Sequence, residues 1–137
     1  EQSGTSLKNA LDYLLKVAKR KSVVFIISDF LDQNYWPSLK VVNRKHDLIG
    51  IQLYDPAETD IPDMGLAKVE DPETGESFWV DTSSKAARNR LRKDIQNRHE
   101  KFKKETRKIG FDLIPVATNQ DFVEPLMSFF KKREKRH

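Results

Sequence analysis

The chain has 137 residues, 37% hydrophobic and 34% charged, with a net charge of +4 at pH 7 and no cysteine. That size and balance suit one soluble domain with a modest core. Within these residues they exclude a membrane-spanning helix, which needs about 20 consecutive apolar positions, a secretory leader, and any disulfide or thiolate zinc site.

Leu7, Leu11, Leu14, Leu15 and Ala18 recur at spacings of three and four, which predicts a helix over 6–20. The apolar run Val23-Val24-Phe25-Ile26-Ile27 then reads as a buried core strand over 22–28, ending in Ser28-Asp29. A carboxylate at the carboxyl end of such a strand stands where open α/β sheets place their chemistry. Asp32 or Asn34 is expected to cap the next helix, with Pro37 in its first turn and Trp36, Leu39 and Val42 on its buried face as far as Arg44. A second core strand, 48–54, stops at Asp55-Pro56 because proline cannot donate to a ladder.

The rhythm then changes. Turn signals at Pro62, Gly65, Asp71-Pro72 and Thr74-Gly75 flank two short runs, 66–69 and 77–80, that suit an antiparallel hairpin. Asp81-Thr82-Ser83-Ser84 offers caps for a long basic helix ending at Gly110. Residues 111–116 form a third core strand, with Pro115 near an edge or a strand end. Asp121-Phe122-Val123-Glu124 resembles a capping box for a last helix that carries Phe122, Leu126, Phe129 and Phe130 inward.

Charge is unevenly spread. Residues 55–76 hold eight acids against Lys68, while residues 83–109 hold eleven Lys or Arg against three acids. Leu91, Ile95, Phe102 and Ile109 form an apolar stripe within that basic stretch, so its cations read as a solvated face. Nucleic-acid binding through helix 83–109 is the competing reading. The run 131–136 reads as a frayed, soluble helix end. His46, His99 and His137 lack metal-ligand spacing and read as surface or capping residues.

Strands alternating with helices require right-handed crossovers and a parallel sheet flanked by helices. The expected fold is therefore α/β, a partial doubly wound sheet with a β-hairpin inserted at about 62–80. Three core strands are few for that architecture. Together with a start at Glu1 rather than Met, this implies upstream strands.

Ile26-Ile27-Ser28-Asp29-Phe30, His46-Asp47-Leu48-Ile49-Gly50, Tyr54-Asp55-Pro56, Pro62-Asp63-Met64-Gly65, Asp71-Pro72-Glu73-Thr74-Gly75, Val80-Asp81-Thr82 and Asp121 to Leu126 follow one another in an order that resembles the carboxyl-terminal portion of the bacterial domain-of-unknown-function 58 family. The resemblance covers nearly the whole chain. It implies that 1–137 is the carboxyl-terminal part of a von Willebrand factor A-like, Rossmann-type domain. Such domains carry a metal-ion-dependent adhesion site built from an Asp-x-Ser-x-Ser loop, a later Thr and a later Asp.

Thr5 and Asp29 match the last two of these ligands, with Ser28 and Asp55 at the edge of the site. Asp81 to Lys85 is the nearest approach to the missing loop, but it follows the hairpin and has Lys at its fifth position, so it reads as a helix cap. The resemblance thus implies magnesium or manganese in the full-length protein. In this chain one hydroxyl and one carboxylate would leave a six-coordinate cation mostly to water, so negligible binding is expected.

It also implies a non-enzymatic interaction module that works with a MoxR-type AAA+ ATPase in complex assembly or chaperone-like activity. The enzymatic alternative is a metal-dependent phosphoester hydrolase using Asp29 and Asp55, for which Asp121 is the one candidate third carboxylate. Ser28 has no evident His partner, and neither a phosphate loop nor a nucleophile elbow occurs. The expected location is cytoplasmic, with any membrane association left to upstream sequence. An unpaired apolar strand 23–27 is expected to template self-association.

Overall fold

A computed structural model describes residues 6–71 and 74–136. Its elements are α1 (Leu7–Val17), β1 (Val23–Ser28), α2 (Trp36–Lys45), β2 (Asp47–Tyr54), a 3₁₀ turn (Pro56–Thr59), β3 (Leu66–Glu70), β4 (Ser77–Asp81), α3 (Lys85–Lys108), β5 (Asp112–Ala117) and α4 (Val123–Arg136). The protein is α/β. A three-stranded parallel sheet has the order β1-β2-β5, and β3-β4 forms a separate antiparallel hairpin. Among the described residues no helix is long and apolar enough to cross a membrane.

Alternation along the strands divides the core in two. On one face Leu48, with Val24, Ile26 and Leu113, packs against Leu11 of α1, Leu39 and Val42 of α2, Phe102 of α3 and Ile109 just beyond it. On the other, Ile49, Ile114 and Val116 receive Leu126 and Phe129 of α4. Gly50 sits in the middle of the central strand, on the first face. A Cβ there would collide with the tip of the Phe111 ring and lie 3.1 Å from both Leu113 Cδ1 and Phe30 Cζ. The aromatic rings can settle on the sheet because this position carries no side chain.

Long-range bonds fix the helices. The Leu7 N–H at the start of α1 donates to Asp32 Oδ2 at 2.6 Å, beside the local cap in which Ser6 Oγ accepts from the Asn9 N–H. Asp32 therefore caps a helix 25 residues upstream and not α2, whose N-cap position is Tyr35 with no side-chain cap bond. Ser38 Oγ of α2 donates to Asp12 Oδ1 of α1 at 2.6 Å. Lys8 first and then Ser38 hold the Asp12 carboxyl below its usual range. Asn43 donates to the Ile109 carbonyl at 2.8 Å, joining α2 to the end of α3.

The hairpin is fastened at its base by Thr82, which is buried. Its Oγ1 donates to the Gly65 carbonyl and accepts from the Met64 N–H. Its tip returns to the loop after β1, where a Cβ on Gly75 would lie 2.6 Å from Gln33 Nε2. Asp81 to Ser84 is the helix cap the sequence suggested: Ser84 Oγ accepts from the Ala87 N–H.

Three expectations need correction. The first core strand is open on one face, with Val23, Phe25 and Ile27 exposed by 61%, 48% and 65%, because Leu126 and Phe129 of α4 lie over β2 and β5, while Phe130 meets the Phe25 ring edge-on. Helix α4 carries Leu126 and Phe129 inward, whereas Phe122 and Phe130 are exposed. His46 takes the capping role of the two the sequence left open: it is the buried C-cap of α2, and its Nδ1 accepts from the Ser22 N–H at 3.0 Å. The terminal cation run is more than a solvated end, since Arg133 pairs with Asp47 and Asp112 at the starts of β2 and β5 and lies over the Phe129 ring.

Replacing Gly50 by Ala should lower unfolding stability by about 1–3 kcal/mol, the usual cost of overpacking a filled core. Urea denaturation of the two proteins measures it, and an unchanged midpoint would remove the steric role given to this glycine.

Candidate functional site

The carboxyl ends of β1, β2 and β5 open onto a cleft of ≈790 Å³. Its floor comes from the segment Asp29 to Trp36, from Gln52 to Asp55 and from Thr118, and its wall from Arg98, His99, Lys101, Phe102 and Glu105 of α3. Clefts at this end of a parallel sheet arise because the strands stop together while the crossover connections diverge.

The loop after β1 shapes the cleft, and it is conformationally unusual. Phe30 has φ +58° and Asn34 φ +63°, a left-handed region that a bulky side chain such as Phe enters only under constraint. Three interactions impose it. Ser28 Oγ accepts from the Phe30 N–H at 2.9 Å. The Phe30 ring is buried against Tyr35, Phe102 and Phe111. The Tyr35 hydroxyl donates to the Phe30 carbonyl at 3.0 Å. Burial of Tyr35, with the Asp32 and Asp29 carboxylates nearby, pushes its phenol well above the ordinary value of 10.0, so the hydroxyl remains a neutral donor.

Asp29 and Asp55 both line the cleft, at neighbouring strand ends. Each has a carboxylate oxygen committed to its own loop: Asp29 Oδ1 accepts from the Leu31 N–H and Asp55 Oδ1 from the Ala57 N–H, both at 3.0 Å. Ser28 is engaged as described above and does not line the cleft. Thr5 lies outside the described residues, as does His137. Asp121 is not part of the lining, and its Oδ1 accepts from the Val123 N–H at the start of α4.

Among the described residues no three His, Cys, Asp or Glu side chains converge as cation ligands. They do not fit a magnesium or manganese coordination set, which requires several oxygens in octahedral array. The cleft is mixed in chemistry: Trp36, Tyr54 and Phe102 supply apolar area, and its lining also holds Arg98, His99 and Lys101 together with Asp29 and Asp55.

Sequence reasoning located Asp29 and Asp55 through the strand-end rule. It missed Trp36, Arg98, Thr118 and the left-handed Phe30. The signals were present only as an interrupted periodicity between 29 and 35 and as cations on the helix 83–109, and neither shows which way a side chain faces.

Residues 1–101 match the family described as Protein of unknown function DUF58. The chain is 26% identical over 132 residues to Uncharacterized protein MAV169 of Mycobacterium avium, covering 94% of this chain and 76% of that protein. It is 26% identical over 129 residues to Uncharacterized protein Mb1516 of Mycobacterium bovis and to Uncharacterized protein Rv1480 of Mycobacterium tuberculosis, covering 92% of this chain but 40% of each of those proteins. No solved structure matches.

Two outcomes are expected. Because Tyr35 keeps its proton longer in the folded than in the unfolded chain, its contribution is complete below pH 10.0 and is lost as pH climbs from there toward the raised folded value. Tyr35→Phe should therefore flatten the alkaline loss of stability while costing about 1–2 kcal/mol at neutral pH through the lost bond to Phe30, read by urea melts across pH 7–12. Calorimetric titration with millimolar magnesium should give no saturable heat, and binding abolished by Asp29→Ala would overturn the ligand count given above.

Proposed function

The chain belongs to the DUF58 family, and we propose that it is a non-enzymatic protein-interaction module with a von Willebrand factor A-like fold, partnered by a MoxR-type AAA+ ATPase in complex assembly or chaperone-like work. The observation that carries this reading is the cleft at the carboxyl edge of the sheet. It is broad and mixed in chemistry, and its floor is a loop held in a specific, strained conformation by buried aromatics. Such a surface suits recognition, since apolar rings give contact area while opposed charges set orientation.

The strand order β1-β2-β5 and the hairpin before α3 support a partial doubly wound sheet of this type. The ATPase partner and the metal-ion-dependent adhesion site belong to the resemblance. In the full-length protein Asp29 would be the carboxylate that the present chain contributes to that site. A hydrolase reading is less well supported, because Asp29 and Asp55 are each engaged by their own turns and Asp121 serves α4.

Binding to a MoxR-type ATPase from the same organism, measured by calorimetry with and without ATP, tests the proposal. Charge reversal at Arg98 and Lys101 in the cleft wall should weaken the complex at least tenfold without unfolding the chain, as circular dichroism would verify. Absence of a complex, or a complex indifferent to both reversals, would overturn it.

A further inference from the structure

The β3-β4 hairpin has an outer face of unusual composition. Register and alternation place Leu66, Lys68 and Glu70 of β3 beside Asp81, Trp79 and Ser77 of β4, and all six are exposed, whereas Ala67, Val69 and Val80 on the opposite face are half-buried. Trp79 is the middle of the outer face: Lys68 lies directly across the ladder, and Leu66 and Glu70 are its diagonal neighbours. The indole is 64% exposed, beside Leu66 at 67% and Met64 at 60%. Among the described residues no aromatic ring packs on it and no cation lies over it.

Negative charge surrounds this apolar spot. Residues 60–81 hold seven acids against Lys68, in a chain whose net charge is +4. Asp60, Asp63, Glu70 and Glu76 are exposed and make no ion pair among the described residues. Carboxylates without cations are costly to bury, so whatever covers this face has to bring positive charge. From this we infer that the outer face of the hairpin docks a protein partner through an arginine-bearing segment. One guanidinium lies over Trp79 and turns its N–H groups to Glu70, and an apolar side chain of the same segment rests on Leu66 and Met64.

Arginine is the side chain that meets both demands, since its plane stacks on an indole while its edge donates to a carboxylate. Glu70 is the acceptor because Asp81 Oδ1 already accepts from the Ser83 hydroxyl and N–H, whereas Glu70 has no bond among the described residues. Tryptophan and arginine are also the residue types that most often carry interface energy. The same acids repel a phosphate backbone or an anionic lipid surface. The platform is fixed from below, where Thr82 fastens the hairpin and Arg88 of α3 donates to the Thr82 carbonyl, so little ordering is needed on binding. None of these residues lines the cleft, and the inference is independent of the ATPase reading.

Anisotropy titration with a fluorescein-labelled peptide of alternating arginine and leucine tests the inference, on this chain and on the full-length protein. Saturable binding is expected in both. Trp79→Ala and Glu70→Lys should each weaken it about tenfold, the usual effect of losing a central contact, with circular dichroism confirming the folds. Glu134→Lys, the same charge change on α4, should leave it nearly unchanged. Citrulline in place of arginine, which keeps the shape and removes the charge, should weaken binding to the same degree as Glu70→Lys. Charge reversal at Arg98 and Lys101 should not weaken it, which separates this surface from the cleft. Absence of saturable binding, indifference to Trp79→Ala, equal losses with Glu70→Lys and Glu134→Lys, or a full-length protein that fails to bind because another part of it covers the hairpin would each overturn the inference.

Discussion

The missing side chain at Gly50 is the constraint on which the rest of this structure depends. The central strand has helices on both faces, and on the α1, α2 and α3 face the Phe111 ring occupies the volume that a Cβ at position 50 would claim. Phe30 rests against Phe111 and Phe102, and Tyr35 rests against Phe30. The cluster thus begins at one glycine on the sheet and ends in the loop that shapes the cleft. Close packing transmits that constraint, because an interior filled to crystal density leaves the rings no alternative seat.

The two faces of the sheet are unequally covered, and the two ends are unequally closed. Among the described residues three helices serve one face, whereas α4 alone serves the other, leaving the β1 row open. At the amino end Arg133 reaches from α4 to Asp47 and Asp112, and His46 accepts from the backbone entering β1. Arginine suits this place, since it is always charged and its planar fork can serve two carboxylates while lying on a ring. The carboxyl end instead opens onto the cleft.

Much of this was legible from periodicity. The order of helices and strands, the hairpin and the cap at Ser84 follow from apolar spacing and turn residues, which act over a few positions. What escaped acts over distance. Asp32 looked like a cap for the helix beside it and instead serves α1, a choice made by tertiary packing between residues 25 apart. The all-apolar run of β1 read as buried on both faces because residue type records affinity for a core, not the presence of one. Arg133 sat within a run of like residues whose individual directions depend on where α4 docks. The cleft was half legible: the strand-end rule found Asp29 and Asp55, but a helix pattern alone does not give the rotation that brings Arg98 and Phe102 into the same lining.

The loop after β1 joins these themes. A left-handed, non-glycine residue costs of order 1–2 kcal/mol, and burying a phenylalanine ring returns roughly 1.5–3 kcal/mol. At Phe30 the two are close in size, so the conformation holds only while the ring stays seated on Phe102 and Phe111 and the Tyr35 hydroxyl stays on its carbonyl. The cleft floor is therefore conditional on the core beneath it. Trp36 and Phe102 belong to the same ring cluster and also line the cleft, so its apolar surface is part of the packing that seats Phe30.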